Sequence, residues 1–164
     1  MMELDILMVI AEVAVAISGF SAVVANFSKH WSPKQSRQLK NLLFHSGIAL
    51  FASLVPLVMS QRIDASGLTT LWLISSALYI LFASISIALE LKQRGPKQPQ
   101  RARALYVGPF IVAMAALGFN IAQGAEAWLY LLALLLNLAY AFFAFLSLLS
   151  HLTDIDATKA KEAP

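Results

Sequence analysis

Two carboxylates, a glycine and an amide recur at a spacing of seven near the start of this chain: Asp5, Glu12, Gly19 and Asn26. Seven residues advance an α-helix by nearly two turns, so these four share one face. Glu12 is the most unusual of them. Its neighbours run Ile10-Ala11-Glu12-Val13-Ala14-Val15-Ala16. A carboxylate at the centre of a membrane helix costs about 2.5–3.5 kcal/mol on insertion scales, so it normally faces a partner or a watered path. A stripe of this kind can line a route for cations or protons. If several copies gather around it, Glu12 forms an acidic ring, which selects cations. Within a single copy it would act as a proton relay. The plainer alternative is a Glu12 that is protonated or hydrogen-bonded and holds helices together, with Asp5 a simple interfacial residue.

A second polar set lies further on. His45 has Asn41 four residues earlier on the same helix face. Histidine titrates near neutral pH and can act as a switch. The alternative is a neutral ring hydrogen-bonded to Asn137, to a backbone carbonyl or to a lipid headgroup, and that reading is preferred. Asn137 has Ala133 and Ala141 four residues to either side. Small residues let helices approach closely, so this stripe fits a packed interface carrying an amide hydrogen bond. Pro56 and Pro109 each free a carbonyl one turn earlier, which a neighbouring helix usually re-satisfies.

The elements that carry these residues are apolar. The chain has 164 residues, 59% hydrophobic and 13% charged. A soluble domain is about 45–50% apolar and about 25% charged, so lipid is the expected solvent. Five apolar stretches cover about residues 4–27, 39–60, 68–91, 104–122 and 127–150. Each approaches the ~20 residues needed to cross the hydrocarbon layer as a helix. None alternates like a membrane β-strand, and a lone strand would leave its backbone unpaired in lipid. The expected fold is an all-α integral membrane bundle of five helices in one domain, residues 1–150, with a polar, mobile tail at 151–164.

Loop charge gives the expected orientation. The first loop holds Lys29, Lys34, Arg37 and Lys40, and the third holds Lys92, Arg94, Lys97, Arg101 and Arg103. Cationic loops stay in the cytoplasm. The N-terminus is therefore expected outside and the C-terminus inside. The acidic start Met1-Met2-Glu3-Leu4-Asp5 agrees and does not read as a signal peptide. Trp31 and Tyr106 then fall at inner ends of spans, and Trp72, Trp128 and Tyr130 near outer ends, where amphipathic rings favour the interface. Both basic loops are also placed to meet anionic lipid headgroups. Ser32-Pro33-Lys34-Gln35 reads as a capping box, which starts the second helix near Pro33.

Several function classes are disfavoured. There is no Cys, and no HExxH or phosphate-binding glycine loop. No cofactor, metal or enzymatic activity is expected. The basic residues come without a nucleic-acid-binding motif, so nucleic acid is not an expected partner. Alanines and serines flank the Glu12 stripe, at Ala14, Ser18, Ser21, Ala22 and Ala25, which makes the first span the expected interior helix. A bundle this small encloses little space. The leading expectation is a homo-oligomeric cation or proton channel in the cell membrane, with Glu12, Asp5, Gly19 and Asn26 along its path. The alternative is a non-conducting subunit or scaffold that packs against partner membrane proteins.

Overall fold

The structure is a computed structural model that describes the backbone of residues 2–27, 33–63, 67–93 and 100–162. Side chains are described within these ranges except at 27, 33, 34, 37, 89–91, 93, 100–106, 109 and 151–162. Among the described residues five helices follow one another: α1 Met2–Phe27, α2 Pro33–Ser60, α3 Leu68–Gln93, α4 Gln100–Ala122 and α5 Ala127–Glu162. Four contain segments long and apolar enough to cross a membrane: Met2–Asn26, Gln38–Ser60, Leu68–Ala88 and Ala127–Ser150. In α4 the apolar segment among the described residues is the shorter Phe110–Ala122.

Local chemistry sets the helix ends. Glu3 and Asp5 lie in the first turn of α1, where negative charge suits the helix dipole. Helix α2 starts at Pro33, whose fixed φ and missing N–H suit the first helical position. Ser32, the expected cap, lies outside the described residues, as does Trp31. At its far end α2 tightens into a short turn, with Gln61 N donating to Val58 O and Arg62 N to Met59 O. Helix α4 stops where Gly124 (φ 108°) and Ala125 (φ 58°) turn left-handed. Buried Asn120 secures that corner. Its Nδ2 donates to Glu126 O at 2.9 Å, and Glu126 N donates to its Oδ1 at 2.8 Å.

Helix α5 runs 36 residues, about 54 Å at 1.5 Å per residue. It does not end at Ser150, and the helix continues to Glu162 through the segment read as a polar tail. Residues 151–162 contain no Pro or Gly to stop it.

Packing places α2 and α5 at the centre. Helix α5 touches all four others, while α1 packs mainly on α2 and secondarily on α5. This corrects the expectation that α1 is the interior helix. Its small residues Ala14, Ser18 and Ser21 lie on the side packed against the bundle, where Ser18 meets Ser46 of α2, and the opposite side of the helix is exposed. The core gathers Leu7, Leu42, Leu71, Leu117 and Leu134, all fully buried.

Polarity is distributed inside out relative to a soluble protein. The outer surface displays Met8, Val15, Phe20, Phe51, Val58, Phe82, Ile111, Phe119 and Phe143. The interior holds His45, Asn120, Asn137 and five buried serines, Ser21, Ser46, Ser53, Ser75 and Ser76. Most of these serines hide their hydroxyl by donating to the carbonyl four residues back. Ser21 to Ile17, Ser46 to Leu42 and Ser53 to Ala49 span 2.6–2.9 Å. An apolar exterior over an interior whose polar groups are largely paired within the chain is what lipid as solvent favours, although the Ser75, Ser76 and Tyr79 hydroxyls are buried without a hydrogen-bond partner among the described residues.

Candidate functional site

Two regions hold the polar residues singled out in the sequence, and they differ in every respect. The first is the outward face of α1. Leu7, Ile10, Ala14, Ile17 and Ser21 turn inward and are buried. Asp5, Glu12, Gly19 and Asn26 are all exposed, on the side of α1 away from the bundle. The heptad spacing does put them on one stripe, and that stripe points out. Glu12 lies near the middle of the apolar segment Met2–Asn26 and makes no hydrogen bond or ion pair among the described residues. Ala16 and Ala22 flank the stripe and are also exposed. A Cβ added at Gly19 would meet nothing within 4 Å. The outward face of α1 is thus a shallow, small-residue track with a carboxylate at mid-span.

The second region is the buried centre where α2, α4 and α5 meet. His45 is 1% exposed and Asn137 is 4% exposed. His45 Nδ1 lies 2.8 Å from Asn137 Oδ1, and Asn137 Nδ2 donates to the His45 carbonyl at 3.0 Å. For the first contact to be a hydrogen bond, Nδ1 must carry the proton, because the amide oxygen only accepts. The amide therefore bridges the side chain and the backbone of one residue. Aromatic rings close around the imidazole. Phe110 stacks on it at 4.6 Å between centroids, and Tyr140 leans against it at 4.4 Å. Asn137 is one of the partners that the sequence offers for a hydrogen-bonded His45. Asn41, expected to share the His45 face, is half-buried one turn away.

The two regions do not meet through Glu12. The link from α1 to the centre is Ser18 Oγ, which lies 2.7 Å from Ser46 Oγ, next to His45 in α2. Glu12 stays on the opposite side of its helix.

A third polar contact was foreshadowed in kind but not in its donor. Pro56 is buried inside α2 and has no N–H to give to Ala52 O. Tyr130 Oη donates to that carbonyl at 2.6 Å. The sequence places Tyr130 and Trp72 at the outer interface as anchors, but both are buried, at 1% and 6% exposure, with their rings 5.7 Å apart. The freed carbonyl explains why Tyr130 points inward. Trp128 remains on the surface. Asn120 was also missed, and its signal was its place four residues before Gly124 at a helix end.

Of the basic residues read as headgroup contacts, Lys40 and Lys92 are exposed. Lys29, Arg94 and Lys97, together with the side chains of Lys34, Arg37, Arg101 and Arg103, lie outside the described residues, as do those of Tyr106 and Pro109.

Comparison with protein-family models, with curated proteins and with solved structures finds no match to this chain. The functional reading therefore rests on the geometry alone.

Proposed function

We propose that this protein is a small membrane protein that works as an assembly of identical copies, with α1 at the contact and Glu12 beside a cation or proton path between copies. One observation carries the reading: Asp5, Glu12, Gly19 and Asn26 all sit on the outward face of α1. Among the described residues nothing pairs with Glu12, which is exposed. A second copy, or water held between copies, lowers the cost of that charge. Exposed Ala16, Gly19 and Ala22 let a neighbouring helix come close. In the assembly Asp5 attracts cations at one mouth and Asn26 stands at the other. With the charge-based orientation, Asp5 is outside, Asn26 is cytoplasmic, and the cationic loops and C-terminus lie on the inner face of the cell membrane against anionic headgroups.

The second reading, a non-conducting subunit, has an observation of its own. The buried polar groups around His45 are paired locally, through Asn137 and Ser46, and form closed contacts rather than a path. In that reading the α1 track docks on a different membrane protein.

One experiment separates them. The chain has no native Cys, so single cysteines can be placed at 5, 12, 19 and 26, and at buried 10 and 17 as controls. Oxidation in liposomes is expected to cross-link copies from the first four and not from the controls. Cation or proton flux into the same liposomes is expected to collapse in Glu12→Gln. Cross-linking without flux at any pH or voltage selects the non-conducting reading. Neither cross-linking nor flux overturns self-assembly through α1.

A further inference from the structure

What can neutralise Glu12 in an assembly is limited by the rest of the chain. Lys40, at the start of its segment, is the one Lys or Arg in the apolar segments of the five helices. His45 is buried within its own copy. A second copy therefore brings no cationic side chain to the middle of the membrane. The charged side chains of α1 itself are Glu3, Asp5 and Glu12, all acidic. Among the described residues nothing of the same copy covers Glu12.

Neutral oxygens are equally scarce along this face. The nearest polar side chains on it are Asp5 and Asn26. At 1.5 Å per residue they stand about 10 Å and about 21 Å from Glu12 along the axis. The hydroxyls between Glu12 and Asn26 are engaged elsewhere. Ser21 is fully buried and donates to Ile17 O, and Ser18 bonds Ala14 O and Ser46 of α2. Helix α1 also runs unbroken from Met2 to Phe27 with no Pro inside. Its carbonyls at mid-span are therefore occupied by the helix itself. The exposed neighbours of Glu12 are Val9, Val13, Val15 and Ala16.

These surroundings choose between the two species a carboxylate path can carry. A metal cation is held by several oxygens at once, about six to eight for Ca2+, and Mg2+ keeps several waters. Glu12 offers one carboxylate per copy and no hydroxyl, amide or free carbonyl beside it. A ring of such carboxylates would gather like charges in hydrocarbon with no donor among them, which is costly. A proton cancels the charge of one carboxylate and needs no further ligand. Given assembly through α1, we propose that the species carried along the track is the proton, taken up and released by Glu12, and that metal cations do not pass. In the uptake step hydronium gives its proton to a Glu12 carboxylate oxygen. One O–H bond forms as another breaks, and a water molecule leaves. Release is the reverse, to water at the other side.

The test uses the full chain in liposomes that trap a pH-sensitive dye. Potassium and valinomycin carry the compensating charge. An acid jump outside should acidify the interior faster than in protein-free liposomes. Glu12→Gln should remove that excess. Glu12→Asp keeps the carboxylate and should retain part of it. Glu12 is exposed, so neither change disturbs the core. With equal pH on both sides, sodium and calcium should enter no faster than in protein-free liposomes. Sodium or calcium entry that Glu12→Gln abolishes would overturn the proton assignment and leave a cation path beside α1 standing. Proton uptake that is unchanged in Glu12→Gln also overturns it. No flux of any of these ions, with copies still cross-linked through a cysteine at position 12, removes the path and the proton assignment together.

Discussion

The face of α1 that carries Glu12 and the centre that carries His45 treat a polar group in opposite ways. At the centre, the Asn137 amide is matched at both of its polar atoms. Asn137 reaches both the ring and the backbone of His45, and rings from α4 and α5 seal the pair. On α1 the carboxylate is exposed and has no partner among the described residues. Both groups would be costly alone in hydrocarbon. The difference teaches where the fold is complete and where it is not. The centre pairs its amide within the chain. The carboxylate of the α1 track has no such partner among the described residues.

The sharpest way to break this contrast is at the centre. Asn137→Leu removes the amide and leaves the His45 ring nitrogen and carbonyl without it. The expected loss is about 1–3 kcal/mol of bundle stability, read by reversible unfolding in mixed micelles. A loss near zero would mean that the pair contributes no more than an apolar contact there. Next in size is Tyr130→Phe, expected to cost about 1 kcal/mol, because Ala52 O then has no donor. In a Pro56→Ala background the helix supplies its own N–H to Ala52 O. The Tyr130→Phe penalty should then shrink toward zero, and a double-mutant cycle measures this coupling. Independent penalties would show that the hydroxyl serves another purpose. Ser18→Ala is expected to cost about 0.6 kcal/mol, an average value for a hydrogen bond between membrane helices. The smallest effect belongs to Glu12→Leu. Its influence on the unfolding of a single copy should stay within about 0.5 kcal/mol, as for a surface site, while its influence on association should be plain in cross-linking. A large loss in the isolated copy would erase the distinction between the two regions.

Much of this arrangement is legible in the sequence, for physical reasons that stop at a definite point. Period and hydropathy identify the helices, because a backbone in lipid has few other ways to satisfy itself. Heptad spacing places Asp5, Glu12, Gly19 and Asn26 on one stripe. It cannot say which way the stripe faces, since α1 is apolar around most of its circumference and gives no inward side by hydropathy. The small residues Ala14, Ser18 and Ser21 were the better guide to the packed side, and they lie off the Glu12 stripe. The His45–Asn137 pair was foreseeable because few amides are available in the spans and this one sits on an alanine stripe. Tyr130 was misplaced because an aromatic near a helix end looks like an interfacial anchor. Only the position of Pro56 on another helix reveals what it is for. An apolar groove lined by residues of α2 and α3, Tyr79 among them, was not legible at all, because it depends on how distant helices pack.

The Asn120 corner bears on how the chain enters a membrane during synthesis. Its amide is satisfied, both as donor and as acceptor, by Glu126, six residues later, and Gly124 and Ala125 make the turn between them. The polar group of α4 is therefore neutralised as soon as the ribosome has delivered the turn. It does not have to wait for a distant helix to dock. Helices α4 and α5 can leave the insertion machinery together as a preformed hairpin, and the central α5 then arrives with one of its neighbours already in place.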